Sequence, residues 1–250
     1  MTPALLAVVL AFAGELVDWR GLLALLAVAA ACIAAHRAPD KSARLVAHAV
    51  VVALCAGFFL HVVPGFNNPR VIDAVLVREG ASSYSKYLNF DKGMAGVLLL
   101  GLYVPERVRN DDAARRFTAF ALRFAIMVGI VVTVAMASGY ARWDPKLPGW
   151  WALWTWSMLV LTALPEEAGF RGVIQEKIGR HVPGSQWTAI IAAGVLFGLA
   201  HAAGGWLYVL VASLAGVGYG WIYASTRSIA WAIVAHAGLN AIHFFVFTYP

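Results

Sequence analysis

Charge is what this sequence has least of. Asp, Glu, Lys and Arg make up 13% of its 250 residues, about half the ~25% usual in soluble globular chains. Hydrophobic residues make up 61%, and the mean hydropathy is +0.74. A water-soluble domain of this size has no means of hiding so much apolar surface, and the same figures exclude disorder. Cysteine is also scarce. Cys32 and Cys55 stand in separate apolar stretches without a CxxC or other ligand spacing, so they read as small buried hydrophobes rather than as a disulfide framework or metal knuckle. The net charge is +6, yet Lys and Arg are scattered through short loops and form no basic run. That pattern excludes nucleic acid as a partner and fits membrane topology and anionic lipid contact. No internal repeat, low-complexity tract or linker divides the chain.

What is present is one apolar run after another, which predicts an all-α, polytopic membrane helix bundle of eight or nine transmembrane helices. Residues 3–35 read as two short helices interrupted by Glu15, Asp18 and Arg20. The first ends in Ala11-Phe12-Ala13, which looks like a cleavage site, but no positive segment precedes it and acids follow, so it reads as a retained helix. Further spans are expected at 45–63, 93–104 (short, tilted or re-entrant), 117–138, 187–203, 207–224 and 228–248. A long helical pattern runs from Trp150 to about Gly179, and Trp150, Trp151, Trp154 and Trp156 suit an interfacial belt. Residues 1–145 then form an N-terminal membrane part and 146–250 a helical core, within one integral membrane domain. The segment 64–92 is the one long polar stretch, with turn chemistry at Pro64-Gly65 and Asn67-Asn68-Pro69, and reads as an extramembrane lid or cap.

Ionisable groups at mid-membrane cost about 2.5–3.5 kcal/mol on insertion scales and default to a functional reading. They concentrate late in the chain as Glu166, Glu167, Arg171, His201 and His236, with Asn240 one turn beyond. Glu167 and Arg171 are four apart, acid first, the better order for an in-helix pair. Glu166 is five from Arg171, about 140° round an α-helix. The wheel thus gives Glu167–Arg171 a structural role and leaves Glu166 for chemistry. Glu166 lies 17 residues before Pro183 and His201 lies 18 after it, so a hairpin turning at Pro183-Gly184 predicts equal depths for the two. His236 and Asn240 share a helix face, and both donate hydrogen bonds. Ala192, Ala193, Gly194 and Gly198, with Ala212, Gly216 and Gly220 on the next helix, permit close backbone approach. His48 and His61 read as satisfied helix residues, His36 and His181 as interface residues, and His243 as a packing residue near the face of His236. Arg123 is expected to snorkel or pair with an acid.

The three clusters read Glu-Glu-x-x-x-Arg at 166–171, Phe-x-x-x-His at 197–201 and His-x-x-x-Asn at 236–240. In that order, on late membrane helices and with Phe170-Arg171-Gly172 after the paired acids, they resemble the CPBP family. Its members are the CAAX-type prenyl-protein endopeptidases and bacteriocin-processing enzymes, glutamic intramembrane proteases. The resemblance covers about residues 150–245. It implies that Glu166, as general base, and His201 hold and activate a water, and that His236 and Asn240 form an oxyanion hole. It also implies that Glu167 and Arg171 brace the site and that Phe197 packs a turn below His201. The implied partners are a membrane-associated protein or peptide substrate and the lipid bilayer, with no cofactor and no nucleic acid. General-base work needs a carboxylate whose proton affinity suits neutral pH, which burial and a neighbouring imidazole can arrange.

Three other readings stay open on the residues alone. Glu166, His201 and His236 make a His₂Glu set for zinc, although HExxH is missing and Asn is a poor ligand. A non-catalytic immunity factor or scaffold keeps the fold without turnover, and a transporter uses the acid and histidines as a proton relay. The Ala- and Trp-rich composition points to a bacterial cytoplasmic membrane. Lys177 and Arg180 favour a cytoplasmic loop at 175–186, but 64–92 and 139–149 are basic too, so orientation is not set.

Overall fold

The computed structural model describes residues 2–77, 83–104, 113–182 and 186–248. Its contacts divide the chain into two compact units that interleave along the sequence. Of the described residues, the first takes 2–75, 83–104 and 160–169, and the second takes 76–77, 113–159, 170–182 and 186–248.

In the first unit, polar caps cut a long apolar run into helices. These are α1 (Thr2–Ala13), α2 (Trp19–Arg37) and α3 (Lys41–Phe59). The Asp18 carboxylate accepts the backbone N–H groups of Arg20 and Gly21, and Asp40 accepts that of Ala43, so both satisfy donors a helix start leaves open. Helix α2 buries Gly21, Leu25, Val28, Cys32 and Ala35, and α3 buries Val51, Cys55 and Phe58. Steps of three and four make these stripes one helix face each, and the two helices pack together. Both cysteines lie buried in the stripes, as free thiols. Leu23, Leu26, Leu45, Val46 and Val52 point outward and exposed, as they must where lipid is the solvent. Gly65 carries a turn at φ +92°, and a Cβ there would stand 2.3 Å from the Gly21 nitrogen.

The polar segment after α3 contains a strand pair, β1 (Arg70–Leu76) and β2 (Ser83–Tyr87). The strands run in opposite directions, with the Leu88 N–H donating to the Pro69 carbonyl and the Ala74 N–H to Ser85 Oγ. The chain is therefore helical but not wholly so. Burial alternates along β2, whereas in β1 Ile72 alone is buried, so the hairpin carries little of the apolar alternation that marks a strand. Helix α4 (Phe90–Leu98) follows and continues as a π-helical turn, Leu99–Tyr103. Gly93 and Gly96 on α4 stand against Leu161 and Pro165, and a methyl on Gly96 would come 2.5 Å from Pro165 Cα. These two absent side chains set how closely α4 approaches α7 (Leu164–Glu167).

In the second unit, α5 (Ala113–Ala137), α10 (Trp206–Thr226) and α11 (Ile229–Val246) pack together. Phe120, Met127, Val131 and Ala135 of α5 share a core with Tyr219, Ile222, Ala235 and Leu239. Helix α9 (Gln186–Leu199) meets α10 through glycine. A Cβ on Gly198 would fall 1.9 Å from Ser213 Oγ and 2.6 Å from the Val209 carbonyl oxygen. Gly198→Ala is therefore expected to destabilise the unit by about 1–3 kcal/mol of overpacking. A thermal midpoint in detergent equal to wild type would show that α9 and α10 have room to separate.

The long helical pattern from residue 150 is real but irregular. It comprises α6 (Trp151–Ser157), a π segment Met158–Ala163, α7, a second π segment Ala168–Gln175, and α8 (Glu176–His181). π-Helical turns inside α-helices frequently mark functional sites. Trp154 is not part of an interfacial belt. It is 1% exposed and stacks on Phe244 at 4.4 Å, whereas Trp151, Trp156, Trp187 and Trp206 are exposed.

Among the described residues, five helices are long and apolar enough to cross a membrane (α2, α3, α5, α10 and α11), and α1 and α9 are shorter apolar helices. The count of eight or nine spans drew on those two and on the interrupted 93–104 and 150–179 stretches. There π segments divide the helix into shorter elements, although the run from Trp151 to His181 is helical throughout. The turn expected at Pro183-Gly184 lies outside the described residues. The protein is an integral membrane protein.

Candidate active site

The sequence-derived residues fall into two sets, one in each unit. Glu166 and Glu167 belong to the first. They sit on α7, 7% and 0% exposed, beside Pro165, where the first π segment gives way to the α-helix. Lys92 of α4 reaches Glu166, with Nζ 2.6 Å from Oε1. Its neighbour Asp91 is 1% exposed and bonds the His61 ring at 2.8 Å. Glu166 and Asp91 thus each have a partner within reach, which low-dielectric burial requires. Lys92 is a site residue that sequence reasoning missed. Its one local signal is a cation at the start of an otherwise apolar helix, and the contact spans 74 residues.

Lys92→Met is expected to lower stability, because it leaves a buried carboxylate without its ammonium, a change that costs about 3–5 kcal/mol in buried pairs. Lys92→Arg should recover most of the stability. A wild-type thermal midpoint in Lys92→Met would refute the pairing.

The second set centres on Phe197 of α9. Its ring lies 4.7 Å from that of His201, 5.5 Å from His236, 5.1 Å from Phe170 and 5.9 Å from Tyr219. His201 is not on the helix as the spacing argument had it. Helix α9 stops at Leu199, and His201 stands in the turn beyond, before a short 3₁₀ turn at Ala202–Gly204 and the left-handed Gly205. Its Nδ1 is 2.8 Å from the Phe197 carbonyl oxygen. A carbonyl only accepts, so Nδ1 carries a proton, and it is Nε2 that can accept in the neutral tautomer. Tyr208 closes the other side, edge-on to His201 at 5.3 Å.

His236 is 3% exposed and stacks on Tyr219 at 4.7 Å, nearly parallel. Asn240, one turn on, donates its Nδ2–H to Met158 Sδ at 3.2 Å. Thioether sulfur is a weak acceptor, so this donor is easily given up to a better one. Arg171 is fully buried. It donates to the Gly216 carbonyl at 2.5 Å, and its guanidinium lies over Phe197 and Tyr219 at 5.1 and 5.5 Å. Arg171 stands in the π segment, where i→i+5 bonds replace i→i+4, so the 100°-per-residue wheel used for 166–171 does not carry through it. Tyr208 and Tyr219 also escaped the sequence reading, since aromatic residues on apolar helices give no signal of their own.

The remaining histidines have ordinary partners. His48 Nδ1 is 2.7 Å from the Tyr103 hydroxyl, and the His36 Nε2–H donates to the Tyr103 carbonyl at 3.2 Å. His243 stacks on Tyr140. Arg123 neither snorkels freely nor needs an acid: it donates to the Ala119 carbonyl and lies over the Trp221 ring. A further polar cluster lies at the ends of α8 and α10, where Glu176 takes the Tyr223 hydroxyl at 2.9 Å, Arg180 at 3.4 Å and Arg227 at 3.5 Å.

No curated protein and no solved structure gives a significant match to the chain. A family model does, and its description is type II CAAX prenyl endopeptidase Rce1-like, over residues 148–242. All three motifs fall inside the matched segment. With the paired acids, the Phe-x-x-x-His and the His-x-x-x-Asn inside it, residues 148–242 of this chain are similar to the type II CAAX prenyl endopeptidases of the Rce1-like family.

Proposed function

We propose that this protein is an intramembrane endopeptidase that hydrolyses a peptide bond of a membrane-associated protein or peptide, in a bacterial cytoplasmic membrane. The observation that carries the reading is the match of residues 148–242 to an endopeptidase family, with every motif inside it. In this reading Glu166 takes a proton from a water that His201 also binds through Nε2, and the water oxygen bonds to the substrate carbonyl carbon. His236 and Asn240 donate to the oxygen that becomes negative, a contribution worth about 2.7–4 kcal/mol per donor where measured in other enzymes. The carbon–nitrogen bond then breaks, and the proton passes to the leaving amine. Glu167 and Arg171 brace the helix that carries the base. Two features support these roles: the hydrogen bond that places a proton on His201 Nδ1 and leaves Nε2 to accept, and the cheaply released Asn240 donor.

The test compares protein termini in native membranes with and without this chain. New termini are expected only where it is present, and they name both the substrate and the cut. No difference, under conditions where its loss has a phenotype, would favour a non-catalytic member of the family. Loss of those termini under chelation, restored by zinc, would replace the water-activating pair with a metal centre.

A further inference from the structure

The polar cluster at the ends of α8 and α10 has no part in the chemistry above. It lines a cavity of about 290 Å³ whose wall includes Gln175, Glu176, Arg180, Gln186 and Arg227. Gln186 begins α9 and His201 lies beyond its far end, so the cavity is separate from the candidate active site. Helix α10 is of spanning length and ends at Thr226, one residue before Arg227. On the last turns of α10 and the first turn of α9, Trp221 and Trp187 lie 5.9 Å apart, ring to ring. Tryptophan gathers at the headgroup level of a bilayer, which places the cavity among lipid headgroups.

Two observations define what fits there. Arg180 and Arg227 share the carboxylate of Glu176 at 3.4 and 3.5 Å, and that carboxylate also takes the Tyr223 hydroxyl at 2.9 Å. Charge-assisted bonds are shorter, about 2.7–2.9 Å, so both guanidiniums hold the acid loosely and keep donors for a second group. With two arginines and one glutamate, the wall residues carry one surplus positive charge. The other observation is an acceptor. Gln175 is 5% exposed and its Nε2–H donates to the Gly220 carbonyl at 3.1 Å, yet among the described residues its Oε1 receives no donor. A Cβ on Gly220 would stand 2.7 Å from that oxygen, so the missing side chain keeps the space before it open. A buried acceptor without a donor is costly, and a ligand's hydroxyl or ammonium removes that cost.

We propose that this cavity binds the headgroup of a phosphodiester lipid. Arg180 and Arg227 take the phosphate, and Gln175 Oε1 accepts from a donor on the free arm of the headgroup. Guanidinium forks match phosphate oxygens in geometry and charge. A diester brings the single negative charge that cancels the surplus, whereas a phosphate monoester brings nearly two. A glycerol or ethanolamine arm carries the donor, and a choline arm does not. A soluble glycerophosphodiester offers the same chemistry without the acyl chains, and the experiment separates the two sources.

Native mass spectrometry of the full-length protein, delipidated in a maltoside detergent, measures binding without turnover and so stands apart from the endopeptidase reading. Phosphatidylglycerol is expected to form a one-to-one adduct about fivefold tighter than phosphatidylcholine, the margin of one hydrogen bond to a buried acceptor. Phosphatidylethanolamine should also bind more tightly than phosphatidylcholine. Glycerophosphoglycerol binding as tightly as the lipid would name the free diester as the ligand, and weaker binding would name the lipid. Arg227 holds a left-handed backbone at φ 53°, which glycine adopts freely. Arg227→Gly should therefore fold and weaken phosphatidylglycerol about tenfold, as should Arg180→Gln at its half-exposed position. Thermal midpoints equal to wild type in lipid-free detergent would show that the loss is one of binding. Equal affinity for phosphatidylcholine, an adduct with inorganic phosphate alone, undiminished binding in both arginine variants, or no one-to-one adduct overturns the proposal.

Discussion

Glu166→Gln is expected to abolish the termini that wild-type protein generates, while the hydrogen bond that Gln keeps to Lys92 limits the drop in thermal midpoint caused by the lost counter-charge. The amide occupies the same space at a 7% exposed position and still accepts a hydrogen bond from Lys92 Nζ, but it cannot take a proton from water. Loss of a positioned general base costs about 100-fold to 10,000-fold in rate, so cleavage should fall below detection in a membrane assay. Retention of near wild-type cleavage would remove Glu166 from the chemistry and leave the Lys92 pair as a structural contact. Equal loss of protein and activity would be a folding defect, and Glu166→Asp then distinguishes the two. Asp keeps the charge but draws it back by one methylene, so the base reading expects a folded, slow enzyme.

Arg171→Ala should act the other way, on stability before chemistry. The side chain is fully buried, holds the Gly216 carbonyl at 2.5 Å and lies against Phe197 and Tyr219. Emptying a core position of this size costs about 2–5 kcal/mol, and the cation–π contacts add to that loss. The expected result is a thermal midpoint several degrees lower, with activity reduced in proportion to folded protein. Arg171→Lys should rescue poorly, because an ammonium cannot lie flat on two rings or present the same fork of donors. A normal midpoint in Arg171→Ala would remove Arg171 from its bracing role and with it the structural half of the Glu-Glu-x-x-x-Arg motif.

Several parts of this protein were legible in its residues. A low share of charge with long apolar runs dictates helices in a bilayer, because only internally bonded backbone survives there. Asp18 and Asp40 mark where those helices start, since a helix beginning needs acceptors. The small residues at 194, 198 and 216 announce a close helix contact, and the structure has it. The ordered motifs carry the family resemblance because they are local strings, each within six residues.

Other features required the tertiary structure. The π segments at 158–163 and 168–175 change which residues stand above one another, and no periodicity argument at 100° per residue anticipates them. Burial on a helix that also carries apolar neighbours conceals Tyr219 beneath His236, just as it hides Trp154 within what reads as a belt. Lys92 meets Glu166 only because Gly93 and Gly96 let α4 close on Pro165, 69 positions further along the chain. Sequence determines which groups are costly to bury, and so which must find partners. Which partners they find depends on packing between distant segments, because a charge in a low-dielectric interior responds to what lies within a few ångströms, not to what lies near it in the chain.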